Sequence, residues 1–186
     1  MTETVEYLCD PETVAGLATS YYNQPFTAAD VRVTEACRIA SARFREAVRH
    51  PVTNAGPQTF VLDGTGTRFI QLPVLKPVIE QVAVYGEPVQ DVKVSARGIL
   101  EFAVPTPRGL GVVTVTVLSS GLDEVPEGIR GPVLWAALLR VGQYPGVQSI
   151  QVGSMNAVYG ATGTTLVTEE WSQAVANYQI GRGDRA

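Results

Sequence analysis

The chain has 186 residues, of which 45% are hydrophobic and only 17% charged, with a formal net charge of −4, one histidine and two cysteines. That length suits one sizeable core or two small modules, and a charged fraction below the roughly 25% of ordinary soluble domains suggests that neighbours cover part of the surface. Net negative charge argues against holding nucleic acid through bulk electrostatics, and one His with two Cys cannot complete a zinc site.

Residues 1–26 carry Glu3, Glu6, Asp10 and Glu12 and no Lys or Arg, unlike a secretory signal. A reduced intracellular compartment is therefore expected, with Cys9 and Cys37 acting as small apolar residues. Asp10-Pro11-Glu12 supplies an N-cap, a first-turn proline and a first-turn acid. It opens a short helix through about Ala18, with Val14 and Leu17 facing inward, and Tyr21–Pro25 forms a connector.

The second helix is expected to start at Thr27 as N-cap, with Phe26 before it, Asp30 at N3 and Val31 at N4 as a staple. His50-Pro51 ends it, giving a rod of about 33 Å. Val33, Ala36, Cys37, Ala40, Phe44, Ala47 and Val48 form one stripe. The other face carries Arg32, Glu35, Arg38, Arg45, Glu46 and Arg49, with Arg43 at its margin. Two readings of the arginines stay open: a solvated face laced with Glu–Arg pairs, or an interface with an acidic neighbour, such as the N-terminal segment of an adjacent copy.

From Gln58 to Ser120 the texture changes to β-branched runs punctuated by Gly and Pro. The candidate strands are Thr59–Leu62, Arg68–Leu72, Val78–Tyr85, Val89–Val94, Ile99–Val104 and Val112–Leu118. Val113, Val115 and Val117 alternate with Thr114 and Thr116 at the period of a half-buried strand. Asp63-Gly64-Thr65-Gly66 is expected to be a hairpin turn, and Arg97-Gly98 and Arg108-Gly109 look similar. This block is predicted to be a small antiparallel sheet or partly closed barrel inserted between helices.

Pro126 and Glu127 then suit the first turn of a central helix. From Ile129 to Tyr144 apolar residues fall on every side, which predicts a helix buried all round, with Trp135 and Leu138 in the core. Its apolar run is far shorter than the about 20 residues a bilayer span needs. Pro132 should kink the ladder, and Arg140 needs an acidic partner if its side is buried. Val147–Val152 and Asn156–Tyr159 suggest a short hairpin around Gly153-Ser154. Thr168 caps a last helix with Trp171, Ala174, Val175 and Tyr178 as its stripe, ahead of a frayed tail from Gly181. The expected class is α+β: a small helical bundle with an inserted antiparallel, barrel-like β domain and a short β-hairpin. Its segments are residues 1–52 (N-terminal helices), 53–120 (the β domain) and 121–186 (central helix, hairpin, last helix and tail, packing with 1–52). Phe44, Trp135, Leu138 and Trp171 are the expected large core residues.

Little in the sequence points to catalysis. His50 sits before a proline at a helix end, where a helix-end cation is the simplest role and general-base duty lacks a positioned acid and nucleophile. Gly64-Thr65-Gly66-Thr67 lacks the lysine and following helix of a phosphate loop. Asp123, Glu124 and Glu127 are ordinary first-turn acids. Arg182-Gly183-Asp184 matches an adhesion tripeptide only by coincidence. No enzyme activity, cofactor or metal is expected.

The series of elements resembles a known family. Asp10-Pro11-Glu12-Thr13-Val14-Ala15 is followed by a capped amphipathic helix ending at proline, then the β block. Gly121-Leu122-Asp123-Glu124-Val125-Pro126-Glu127 leads into the apolar helix. Pro145-Gly146-Val147-Gln148-Ser149-Ile150-Gln151-Val152-Gly153-Ser154 precedes a strand ending in Val158-Tyr159, and Leu166-Val167-Thr168-Glu169-Glu170-Trp171 opens the last helix. In order, these cover most of the chain and look like the head-to-tail adaptor (connector) proteins of long-tailed (siphovirus) bacteriophages, most like the longer versions with an inserted β domain. Two departures are Pro132, where the family continues helix, and Ser154-Met155-Asn156-Ala157, which replaces a more acidic, aromatic strand.

The resemblance implies a homo-oligomeric ring, commonly of twelve copies, docked beneath the portal protein in the virion neck after assembly in the host cytoplasm. Such a ring extends the DNA channel, passes genomic DNA without reading its sequence, and presents a platform to a downstream stopper or tail-terminator protein, with no membrane involved. Arg32, Arg38, Arg45, Arg49 and Arg140 are the candidate subunit or portal contacts. The alternative is a module that binds a small molecule or glycan through its β domain.

Overall fold

The computed structural model describes residues 7–142, 149–152, 155–158 and 168–180. Four helices and seven strands in two open antiparallel sheets, with a separate two-stranded hairpin, make an α+β fold. The chain divides into two compact units: Met1–Ala47 with Pro126–Tyr178, and Val48–Val125 with Gln179–Ala186. Among the described residues no helix is long and apolar enough to cross a membrane.

The helical unit starts at α1, Pro11–Tyr22. Asp10 caps it as expected, its carboxylate accepting from the backbone N–H groups of Glu12 (3.2 Å) and Thr13 (3.0 Å). The helix runs four residues past Ala18 and stops where Asn23 turns left-handed, at φ 49°. Val14, Ala15 and Ala18 face inward, whereas Leu17, expected inside, is 39% exposed.

The second helix, α2, is Val31–Val48, shorter than expected at both ends. Its cap is Asp30, not Thr27. Residues 27–30 form a turn closed by Asp30 N–H to Thr27 O, and the Asp30 carboxylate accepts from Arg32 N–H at 2.8 Å. Arg32 in turn lies 4.7 Å over the Phe26 ring, a tertiary contact that favours this start over the equally polar Thr27. Val31 is then exposed and makes no staple. Arg49, with φ 63°, ends the helix one residue before His50. The predicted stripe is buried apart from half-buried Ala47.

The central helix, α3, is Glu127–Val141, and Pro132 lies within it without interrupting it. The proline forfeits one ladder bond, to Gly128 O, and Gly128 and Gly131 nearby have no side chain to crowd its ring. Ile129, Pro132, Val133, Ala136, Ala137, Leu138 and Val141 are buried. The expectation of burial all round fails at Trp135, which is 43% exposed, and at Leu139, 37% exposed. Within one chain the packing from α1 and from the last helix, α4 (Glu169–Tyr178), covers only part of the helix circumference. Thr168 caps α4 by accepting from Trp171 N–H at 3.1 Å, and Trp171 packs edge-on against Phe44 with ring centroids 5.2 Å apart. Phe44, Leu138 and Trp171 are all buried.

In the β unit, the 11-residue strand β7 (Gly109–Ser119) is central. It pairs with β1 (Gln58–Gly64) on one side and β3 (Val78–Val84) on the other, and β4 (Glu87–Pro88) extends β3. The second sheet is β2 (Phe69–Gln71), β6 (Ile99–Glu101) and β5 (Lys93–Val94). Val113, Val115 and Val117 are fully buried in a cluster with Ile70, Leu72, Val82, Leu100 and Phe102 from both sheets. The partly closed barrel is therefore corrected to two open sheets around a filled core. Asp63–Gly66 and Arg108-Gly109 are corrected too: each connects strands of different sheets. Arg97-Gly98 is a true hairpin end, where Gly98 takes φ +77° and its N–H bonds Ser95 O. Another tight hairpin, at Tyr85-Gly86 between β3 and β4, lacks an Asn-Gly or Asp-Gly signal. Val89–Val94 is no continuous strand, because Asp91 is left-handed at φ 62°.

The chain's entry to and exit from this unit lie side by side. Thr53 and Leu122 form a parallel bridge, and Leu122 N–H bonds Val52 O at 2.8 Å. Gly121 has φ +98° against the Thr53 backbone, where a Cβ would collide. The hairpin β8 (Ser149–Val152) and β9 (Met155–Val158) pairs antiparallel as expected. The expectations for Pro145 to Gln148, for Gly153-Ser154, for Tyr159 to Val167 and for the tail from Gly181 lie outside the described residues.

Burial sets two expected stabilities. Phe44→Ala should cost about 3–5 kcal/mol in urea unfolding, because its ring is wholly buried against Trp171. Trp135→Ala should cost less than about 1.5 kcal/mol, since much of that ring already meets water. Equal losses at the two positions would contradict this packing.

Candidate functional site

The arginines of α2 do not form one free cationic stripe. Arg32 is committed to the helix start, 3.4 Å from the Asp30 carboxylate and over Phe26. Arg38 grips Glu35 with two bonds, Nε to Oε2 at 2.9 Å and Nη2 to Oε1 at 2.6 Å. Arg38 holds the Glu35 carboxyl below the usual carboxylate range, and the charge of Arg140 adds to the effect. Arg140 is half-buried in the last turn of α3, where its charge is felt at Glu35. Arg43 is exposed and Arg45 half-buried. Arg49 lies beyond the helix end, so helical spacing no longer places it with the others. The structure thus brings together Arg38, Glu35 and Arg140, with Arg45 two turns along α2 from Arg38.

The helical unit also shows an apolar surface that sequence reasoning missed. The α1 and α3 helices run in the same direction: Arg130 near the start of α3 acts on the Asp10 carboxyl at the start of α1, and the Tyr22 hydroxyl at the end of α1 donates to Leu138 O at 3.0 Å. Leu17 and Tyr21 on α1 are exposed at i, i+4, and so are Trp135 and Leu139 on α3. Beside Trp135 and Leu139, Gly128 and Gly131 face open space. No charged residue separates Arg130 from Arg140. The signal was present in the sequence as that glycine-flanked Trp/Leu pair, but only tertiary packing shows which side of an apolar helix stays uncovered.

The other sequence candidates have structural roles. His50 is buried, and its Nδ1 accepts from Val52 N–H at 3.0 Å, so it organises the turn after α2 instead of acting as an exposed helix-end cation. The Gly64–Thr67 loop is filled by its own protein. Pro107 and Arg108 occupy the space a Cβ would need at Gly64 and Gly66, and the Thr65 and Thr67 hydroxyls bond each other at 2.8 Å. Asp63 accepts from Gly111 N–H at 2.8 Å. Asp123, Glu124 and Glu127 are exposed, and among the described residues no three His, Cys, Asp or Glu side chains are grouped to hold a metal ion.

The sequence matches no protein-family model and no curated protein. Its fold is similar to a chain in the neck of an empty GTA (gene transfer agent) particle computed with C6 symmetry, at 13% identity, 100% coverage of both chains and a TM-score of 0.53. A chain in the neck of the native GTA particle computed with C12 symmetry aligns over 96% of each chain at 12% identity, with a TM-score of 0.46. The first likeness shows that the two chains share a fold from end to end.

The Asp10 cap supplies a pH test of the start of α1. Hydrogen bonds from the Thr13 hydroxyl and from the Thr13 and Glu12 backbones, with the charge of Arg130, hold its carboxyl below the ordinary Asp value. Asp10→Ala should lose about 0.5–2 kcal/mol of stability at neutral pH. Because the folded pKa is the lower one, this contribution is complete above the unfolded value and is lost as pH falls through the folded value. The difference between wild type and variant should therefore shrink below about pH 4. A difference independent of pH would show that the carboxylate is not the cap.

Proposed function

We propose that this chain is a structural subunit of a phage-type neck: a head-to-tail adaptor that closes into a homo-oligomeric ring beneath the portal of a long-tailed particle. The observation that carries this reading is the end-to-end fold likeness to a neck chain, joined to the ordered series of motifs that resembles phage adaptors. The ring, of about twelve copies by that resemblance, extends the DNA channel and docks the next neck or tail component. It assembles in the host cytoplasm, resides in the virion and catalyses no reaction.

Physical features of the chain support this. A ring needs two different, complementary patches per subunit, and the helical unit offers the arginine face of α2 and the uncovered pairs Leu17/Tyr21 and Trp135/Leu139. Exposed tryptophan and arginine are the residue types enriched at contact hot spots. Net negative charge suits a channel wall that must let DNA leave, since a strongly basic lumen would retain it. The alternative, a ligand-binding β module, gains no support from the β unit, whose two sheets enclose a core filled by their own side chains.

Reversing Arg38 and Arg45 to Glu should leave the circular dichroism melt within a few degrees of wild type but abolish co-elution with the portal in a large complex. Wild-type co-elution by this double variant would remove the arginine face from the interface. Trp135 gives an independent signal, since Trp171 is already buried. Its emission should shift to shorter wavelength on assembly of a Trp171→Phe chain, and an unchanged spectrum in the assembled ring would place Trp135 outside the contacts.

A further inference from the structure

The only two cysteines of the chain, far apart in sequence, meet in the helical unit. Cys9 lies just ahead of the Asp10 cap, and Cys37 lies in the middle of α2. The segment is pinned there by its neighbour: Leu8 N–H donates to the Ser41 hydroxyl at 2.9 Å, one turn along α2 from Cys37. Both thiols are buried, at 3% and 0% exposure, and each is the largest single influence on the other's ionisation.

We propose that Cys9 and Cys37 are a disulfide-forming pair that staples the start of α1 to the middle of α2. The oxidant is a small-molecule disulfide. The thiolate of one cysteine attacks it, releasing one small thiol and leaving a mixed disulfide on the protein. The second cysteine attacks the protein sulfur of that mixed disulfide, forming the Cys9–Cys37 bond and releasing a second small thiol. Two electrons pass from the protein thiols to the oxidant, and the two thiol protons end on the released small thiols. Cys9 donates its hydrogen bond to Cys37, which holds the Cys9 thiol well above its ordinary pKa and lowers that of Cys37. If the chain is a neck subunit, which is the one point that rests on the functional reading above, the bond closes after particles leave the reducing host. The pairing itself does not depend on that reading.

The test uses the isolated full chain. It is equilibrated in glutathione redox buffers, in urea low enough to keep it folded while it samples openings, and again fully unfolded. The folded chain should lose two thiols and about 2 Da without bound glutathione, and run as a monomer on non-reducing gels. The ratio of the squared reduced to the oxidised glutathione concentration needed to open the bond should be about a hundredfold higher for the folded than for the unfolded chain. Oxidation should raise Tm by roughly 5–10 °C, and a Cys9→Ser chain should show neither change. Stable glutathione adducts, disulfide-linked dimers, or the same midpoint folded and unfolded would overturn the pairing. None of these outcomes touches ring assembly, so the proposal and the functional reading fail separately.

Discussion

A helix with no charge between Arg130 and Arg140 cannot present its whole circumference to water, and the helical unit is arranged around that constraint. Packing from α1 and α4 covers one part of α3, and α2 closes the core through Phe44 against Trp171. The supporting contacts are short polar ones placed where the helices meet: Tyr22 to the Leu138 carbonyl, and Leu8 to Ser41. What those neighbours leave uncovered is as informative as what they cover. Trp135 and Leu139 remain partly in water on an uncharged helix face.

The charged residues divide between fold and surface. Asp10 and Asp30 are spent on helix starts, and Arg32 and Glu35 on local pairs. Exposed pairs of this kind contribute little to stability.

Local chemistry was legible in the sequence and long-range choice was not. The helix starts at Asp10 and Thr168 and the β7 alternation depend on neighbours a few residues away, and they stand where expected. Thr27 and Asp30 are both competent caps, and Asp30 takes the role, its carboxylate accepting from Arg32 N–H. Asp63–Gly66 has the composition of a hairpin turn, yet strand pairing across the whole β unit sends its two flanking strands to different sheets. Nothing local in the sequence shows that the charge of Arg140 acts on Glu35. The same holds for α3: composition shows that it is apolar, and only packing shows that Trp135 is left outside.

The central claim is that this fold is a ring subunit at a portal. Negative-stain electron microscopy of the purified chain, alone and mixed with the portal, measures it directly. The account predicts rings with rotational symmetry seated on one face of the portal, with the chain's mass added to that face. Bare portals beside monomeric chain, at concentrations well above micromolar, would contradict it.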